Sequence, residues 1–214
     1  MILATNNKGK LMEIKKILKE YQIYSLRDKN INIDVIEDEN TYNLFKYNVI
    51  LNSSAMFDEN NKIVGGNATE RALLSLVNTD EYKKITGSAT IVNKKSFNSA
   101  NKFSAVETKY NGETFTYYKG APERLIDAAT KCVTLNGLEP IDKDKLKMIV
   151  RSYTIKAMRV IATGYSSSKL PEEGFPDDLV ITSLVAIRDD VRPGSSRGSG
   201  KNARGRSSGN DGNW

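Results

Sequence analysis

The sequence contains no histidine and a single cysteine, and these absences remove several classes of active site. Without histidine, His-based catalysis and Cys/His zinc sites are excluded. Cys132 cannot form a disulfide within the chain, which fits a reducing compartment. No apolar run approaches the roughly 20 residues of a membrane-spanning helix, and the first residues lack the apolar segment of a signal peptide. We therefore expect a cytoplasmic chain without membrane insertion.

The formal net charge of +6 is concentrated at the end of the chain. Residues 194–214 hold four basic side chains against one acidic side chain and carry half of that charge. The mild charge left on residues 1–193 gives no case for a nucleic-acid-binding surface, so no nucleic-acid partner is expected. Because residues 194–214 are rich in glycine and serine and lack apolar periodicity, they are predicted to form a disordered tail.

The other residues divide into two zones with different patterns. In residues 1–42, an amphipathic helix pattern that begins at Lys10 lies between short strand candidates, which predicts a β-α-β fragment. Residues 43–193 contain strands joined by turn signals such as Asn111-Gly112, with helix patterns inserted in pairs. This order indicates an α+β domain in which an antiparallel β-sheet is flanked by helices.

Helices and strands can be assigned along residues 43–193 from the apolar spacing and the turn residues. Helices are predicted over 43–55, from 68 onward, over 121–130 and over 142–158, and strands over 90–97, 102–110, 113–119, 132–135, 159–166 and 178–187. Asn67 can cap the second helix, with Glu70 completing a capping box, and Asp142 can cap the fourth. Leu73, Leu76 and Val77 are the predicted core face of the second helix.

A lysine and a glycine end a predicted strand in the run FTYYKGAPERL. Lys119 can place its ammonium over a pocket, and Gly120 can let a planar ligand approach the backbone without meeting a Cβ atom. Pro122 stands in the first turn of the next helix, where its missing N–H costs nothing. The alternative is a solvated lysine at a strand end, followed by a turn glycine.

The lysine-glycine pair belongs to a K-G-A-P-E motif, which residues 119–123 carry intact. With its surroundings, this motif resembles the nucleotide-binding domain of P-type cation-transporting ATPases, particularly the calcium-transporting class. That domain has a phenylalanine five residues before a second lysine, which Phe97 and Lys102 match. The resemblance covers residues 43–193.

Two further elements of that domain are also present. Its Thr-Glu pair, which opens a helix after a glycine turn, is matched by Thr69 and Glu70. Its arginine, which starts a strand after a long helix, is matched by Arg159. The resemblance therefore implies a site for ATP made of the following residues: Thr69, Glu70, Phe97, Lys102, Lys119, Gly120 and Arg159.

The residue types of this set suit a nucleoside triphosphate. An aromatic face such as that of Phe97 stacks on adenine, and Glu70 can accept from the adenine amino group. Lys102 and Lys119 add positive charge, and Arg159 can bind phosphate oxygens with its forked guanidinium. Binding is not expected to require magnesium. Three alternatives stay open: Phe97 as a core residue, Glu70 as a capping residue only, and Arg159 as a surface residue of a strand.

The chain also departs from the family pattern. The family's D-P-x-R hinge reads Asp189-Asp190-Val191-Arg192 here, so the proline is replaced and hinge rigidity is in doubt. The family's D-K-T-G-T phosphorylation motif and its magnesium-binding G-D-G-x-N-D motif are both missing. We therefore expect no catalytic residue, no metal site and no ion transport on this chain. The resemblance implies an isolated ATP-binding module, which in the parent family docks on a phosphorylation domain.

The start of the chain resembles a different family, the inosine/xanthosine triphosphate pyrophosphatases. Their T-x-N-x-x-K-x-x-E pattern is met by Thr5, Asn7, Lys10 and Glu13. A strand-to-helix turn rich in asparagine and glycine offers N–H groups to phosphate, and Lys10 adds charge. The alternative is a helix that is merely capped by asparagine.

The pyrophosphatase resemblance covers only about 40 residues and lacks the rest of that fold. The chain is thus predicted to be a chimera. A pyrophosphatase acting on non-standard purine nucleotides and an inert chimera are the competing hypotheses on function.

Overall fold

The computed structural model describes residues 39–134 and 136–187. Residues 1–38 of the β-α-β fragment predicted over residues 1–42, and the predicted tail, lie outside these ranges. So do the following predicted site and hinge residues: Thr5, Asn7, Lys10, Glu13, Asp189 and Arg192.

Five helices and nine strands occupy the described residues. In chain order they are α1 (Glu39–Leu51), β1 (Ala55–Phe57), β2 (Ile63–Gly65), α2 (Ala68–Leu74), α3 (Thr79–Ser88), β3 (Thr90–Lys95), β4 (Phe103–Tyr110), β5 (Glu113–Gly120), α4 (Pro122–Ala128), β6 (Lys131–Thr134), β7 (Gly137–Pro140), α5 (Lys143–Thr154), β8 (Arg159–Ser166) and β9 (Val180–Ile187).

Strands β3 to β9 form one sheet in the order β3-β4-β5-β8-β9-β6-β7, and β1 pairs with β2 separately. Neighbouring strands are antiparallel except for β6 and β9, which are parallel. The predicted α+β fold, with an antiparallel sheet flanked by helices, is therefore confirmed. The parallel pair was not anticipated, because it joins strands that are far apart in the chain.

The sheet buries both of its faces. Ala105 and Tyr118 belong to a core cluster that includes side chains of α4 and α5. Their strand neighbours Val106 and Tyr117 belong to a second cluster with α1, α2 and α3. Side chains alternate between faces along a strand, so each central strand contributes to both clusters. All eight residues of β9 are buried, and six of them are apolar, as expected for a strand covered on both faces.

Local sequence signals set most of the element boundaries. The capping box of Asn67 and Glu70 is present at α2, and the Asp142 side chain accepts from the Lys145 N–H at α5. Asn111 and Gly112 have φ angles of 50° and 83°. Such a pair of left-handed residues forms the two-residue hairpin turn predicted between β4 and β5.

Three predictions along the chain need correction. The first helix ends at Leu51 instead of residue 55, because the Ser53 hydroxyl accepts from the Ala55 N–H and turns the chain into β1. Helix α2 ends at Leu74, so Leu76 is only partly buried. Helix α3 was missed, although Asn78 caps it with the same capping-box pattern that identified α2.

Candidate functional site

A cavity of about 810 Å³ lies where β5 ends and where α2, α4 and β8 begin. All seven residues of the predicted nucleotide site line it: Thr69, Glu70, Phe97, Lys102, Lys119, Gly120 and Arg159. These residues belong to four separate stretches of sequence, which only the folded sheet brings together. Their role in nucleotide binding stays a prediction, but their convergence on one cavity is an observation.

Lys119 is buried at the end of β5, with 6% of its surface exposed. Its Nζ donates a hydrogen bond of 2.5 Å to the Asn52 carbonyl and lies 3.7 Å from Glu70 Oε1. Burial lowers the pKa of Lys119 to about 8, although the Glu70 carboxylate acts in the opposite direction. The alternative of a solvated strand-end lysine is therefore excluded. The amine lies in the cavity wall as a group poised between its charged and neutral forms.

Glu70 holds three groups in place. Its Oε2 accepts from the Asn67 N–H at 3.1 Å in the capping box, and its Oε1 accepts from the Ser54 N–H at 3.2 Å. The same Oε1 faces Lys119. Glu70 thus has the capping role that the sequence suggested, and its carboxylate also joins α2 to the segment after α1. Acceptance from an adenine amino group stays a prediction.

Gly120 is required by the chain's own packing. A Cβ atom at this position would lie 2.4 Å from the Lys102 carbonyl oxygen and 2.6 Å from the Phe103 Cα. Real Cβ contacts are not this short, and backbone atoms of a paired strand cannot easily move aside. Although Gly120 lines the cavity, the backbone of β4 fills the space beside it. This packing is by itself a reason for glycine at this position, and the approach of a planar ligand to its backbone stays a prediction.

Phe97 lies on the loop between β3 and β4 with 60% of its surface exposed, so it is not a core residue. Asn98 shapes this loop, because its Oδ1 accepts from the Asn101 N–H at 2.7 Å and its carbonyl accepts from the Lys102 N–H at 2.8 Å. Lys102 has a φ of 61°, in the left-handed region, and its carbonyl accepts from the Ala121 N–H at 2.9 Å. The backbone that carries Phe97 and Lys102 is therefore fixed at the cavity.

Arg159 links two walls of the cavity. It is exposed at the start of β8, and its Nη1 donates a hydrogen bond of 2.6 Å to the Thr69 hydroxyl on α2. Arg159 is thus a surface residue of a strand, which is the alternative that the sequence left open. Its guanidinium is nevertheless held at the cavity by the bond to Thr69.

The sequence did not single out the apolar residues of the cavity. The cavity is lined by Val150 on α5, by Met158 just before β8, and by Val160 and Ile161 at the beginning of β8. Apolar side chains on a short strand are expected in any core, so nothing in their spacing marked them as cavity residues. With Phe97 they give the cavity apolar surface suited to a flat ring, next to its basic groups.

Neither a metal-ligand cluster nor a membrane-spanning helix occurs among the described residues. Within residues 39–134 and 136–187, no group of three or more histidine, cysteine, aspartate or glutamate side chains is placed to hold a metal ion. In the same part of the chain, no helix has the length and apolar character that crossing a membrane requires.

Calcium-transporting ATPases are among the relatives of this chain. Calcium-transporting ATPase 10, plasma membrane-type, of Oryza sativa subsp. japonica is 33% identical over 143 residues, which are 60% of this chain and 14% of the relative. Calcium-transporting ATPase 1 of Bacillus cereus is 24% identical over 199 residues, covering 89% of this chain and 22% of the relative. The chain thus spans less than a quarter of the length of these relatives.

The N-terminal part of the chain has relatives of a different kind. The dITP/XTP pyrophosphatase of Campylobacter jejuni subsp. jejuni is 37% identical over 58 residues, which are 27% of this chain and 28% of the relative. Both resemblances that the sequence suggested are therefore confirmed. The family described as P-type ATPase, cytoplasmic domain N, matches residues 40–194, which include every described residue of the cavity. The chain belongs to this family of P-type ATPase cytoplasmic N domains.

Proposed function

We propose that the chain binds ATP in the cavity lined by Phe97, Lys119 and Arg159, as the nucleotide-binding module of a calcium-transporting P-type ATPase. The observation that carries this proposal is the presence of an exposed aromatic ring, apolar surface and three basic side chains around one cavity. Ligand sites are typically concave and mostly apolar, with a few placed polar groups, and this cavity has that composition.

Phe97 supplies the stacking surface for the adenine ring. Its side chain is held on a shaped loop but has few neighbours, so one face is free for a ligand. Stacking of a base on an aromatic side chain contributes about 1–3 kcal/mol to binding. An exposed aromatic side chain that contributes little to the core is best explained by such a contact.

Lys102, Lys119 and Arg159 supply positive charge for the phosphates. Because three basic groups surround the cavity, the more negative free nucleotide should bind at least as well as its magnesium complex. Magnesium is therefore not needed for binding in this proposal. In the larger transporter, the module would present ATP to a separate phosphorylation domain on the cytoplasmic side.

Calorimetric titration of the whole chain with ATP, with and without magnesium, tests the proposal. Phe97→Ala should weaken binding by about 1–3 kcal/mol, roughly 5- to 150-fold, without lowering the melting temperature. Leu138→Ala is the matched control, because Leu138 is similarly exposed, at 53%, on β7 at the opposite edge of the sheet from β3.

Two outcomes would overturn the assignment. If the folded Phe97→Ala variant binds ATP as tightly as the unchanged chain, stacking on Phe97 is wrong. If the chain needs magnesium and releases pyrophosphate from ITP or ATP, the N-terminal segment acts as a pyrophosphatase through Lys10 and Glu13. That second function is favoured by the pyrophosphatase relatives alone.

A further inference from the structure

Two asparagine side chains, one near the end of α1 and one just after it, are buried four residues apart, and neither lines the cavity. Asn48 has 0% and Asn52 has 1% of its surface exposed. Burying an amide side chain is costly unless its polar atoms find hydrogen-bond partners. The partners of these two residues therefore indicate what each one holds in place.

The Asn52 side chain binds the sheet directly. Its Nδ2 lies 3.1 Å from the Ser104 carbonyl on β4 and 3.3 Å from the Tyr117 carbonyl on β5. The Asn48 Nδ2 makes equivalent bonds one turn earlier, to the carbonyls of Tyr118 on β5 and Gly164 on β8. The end of α1 is thus tied to the same strand that carries Lys119.

The backbone of Asn52 contacts Lys119. Asn52 follows the last residue of α1, where carbonyls lack partners within the helix and the helix dipole places partial negative charge. The Lys119 Nζ donates to this Asn52 carbonyl. A hydrogen bond to the charged form of an amine favours that form over the neutral one.

Other charged groups also face or approach the ammonium. Glu70 on α2 favours its charged form, and Lys94 on β3 disfavours it. The remaining charged residues of the cavity lining are Lys102, Glu123 and Arg159. The Asn52 carbonyl oxygen, at 2.5 Å, lies nearer to Lys119 Nζ than Glu70 Oε1 does, at 3.7 Å, so both groups contact the ammonium and the carbonyl is the nearer of the two.

We propose that Asn52 is a positioning residue for Lys119: its side-chain amide fixes the end of α1 against β4 and β5, so that its own carbonyl holds the lysine ammonium beside the cavity. The consequence for ATP rests on the proposed function, in which the charge of Lys119 serves the phosphates. The geometry of Asn52 and Lys119 does not depend on ATP. The positioning of Lys119 by Asn52 and its effect on ATP binding can therefore be refuted independently.

The test compares Asn52→Ala and Asn52→Ser with Asn48→Ala in the whole chain. Asn48 is the matched control, because it is equally buried one turn earlier and binds the same sheet without contacting Lys119. Its Oδ1 accepts from Asn52 Nδ2 at 3.3 Å, but Asn48→Ala leaves the Asn52 bonds to the Ser104 and Tyr117 carbonyls in place. Asn52→Ser truncates less and retains a hydroxyl, so it carries the test if Asn52→Ala does not fold. The first readout is the pH titration of Lys119, followed by NMR of protein that contains carbon-labelled lysine. The Lys119 signal is identified by its absence from the Lys119→Met variant. The second is ATP affinity at neutral pH.

We expect both Asn52 variants to lower the titration midpoint of Lys119 by about one pH unit or more. From a midpoint of about 8, this lowers the charged fraction at pH 7 from about nine-tenths to about half or less, so ATP binding should weaken about twofold or more. Asn48→Ala should leave the midpoint unchanged, even where it lowers the melting temperature. An unchanged midpoint in the Asn52 variants, or an equal shift in Asn48→Ala, overturns the positioning role. If the midpoint shifts as expected while the unchanged chain does not bind ATP, the positioning role stands and the ATP proposal fails.

Discussion

Replacing Gly120 with alanine should destabilise the fold strongly, even though the substitution adds a single methyl group. The new Cβ would lie 2.4 Å from the Lys102 carbonyl oxygen, 2.6 Å from the Phe103 Cα and 2.7 Å from the Phe103 Cβ. Two of these three atoms belong to the backbone of the strand region that pairs with β5. The clash can be relieved only by separating the end of β4 from the end of β5.

Forcing extra atoms into a packed interior costs about 1–3 kcal/mol, occasionally more, and we expect Gly120→Ala near the upper end. In a domain of this size, each kcal/mol lowers the melting temperature by about 2–4 °C. The loss should therefore be on the order of 10 °C. Urea unfolding followed by circular dichroism measures the same change as a free energy of unfolding.

Gly87→Ala is the control for this substitution. Gly87 lies in α3, and a Cβ atom there would meet nothing within 4 Å. Alanine is a better helix former than glycine, so this variant should gain up to about 1 kcal/mol. A Gly120→Ala variant as stable as the unchanged chain would refute the packing argument. If that stable variant also lost ATP affinity, Gly120 would serve ligand approach after all.

Three further predictions concern the lysines and the domain limits. Lys102 has a left-handed backbone, so Lys102→Gly should be more stable than Lys102→Ala by about 1 kcal/mol in urea unfolding. Both variants should weaken ATP binding equally. Equal stability of the two variants would contradict backbone strain at Lys102. Burial lowers the pKa of Lys119 from 10.5 to about 8, so the unfolded chain binds more protons between these values. From about pH 8 to about pH 10 the free energy of unfolding should rise by at most about 1.4 kcal/mol per pH unit, and a Lys119→Met variant that rises equally would refute this assignment. A chain of residues 39–193 should melt cooperatively and keep the full ATP affinity, because both core clusters and the cavity lie within it. If this shorter chain loses affinity while it stays folded, residues 1–38 contribute to the site.

Element boundaries were predictable from the sequence where a local signal marks them. Two helix starts were found from a side chain that caps the backbone three residues on, at Asn67 and Asp142, whereas the same signal at Asn78 was missed. The hairpin at Asn111-Gly112 was found because it needs two left-handed residues in succession. The domain limits of 43 and 193 stay predictions, although α1 begins at Glu39 and the family matches residues 40–194.

The sequence by itself determined the α+β class, the caps and the hairpin, because these depend on neighbours a few residues apart. The motif residues of the cavity were identified through the resemblance to the P-type ATPase domain. Only the tertiary structure decided the burial of Lys119, the packing around Gly120 and the contacts of Asn52. Asn52 and Lys119 are 67 residues apart in the chain. Their contact exists because α1 packs on β4 and β5, and no local pattern encodes that packing. Burial and the backbone carbonyl of a distant helix therefore set the environment of a lysine that the sequence could only place at the end of a strand.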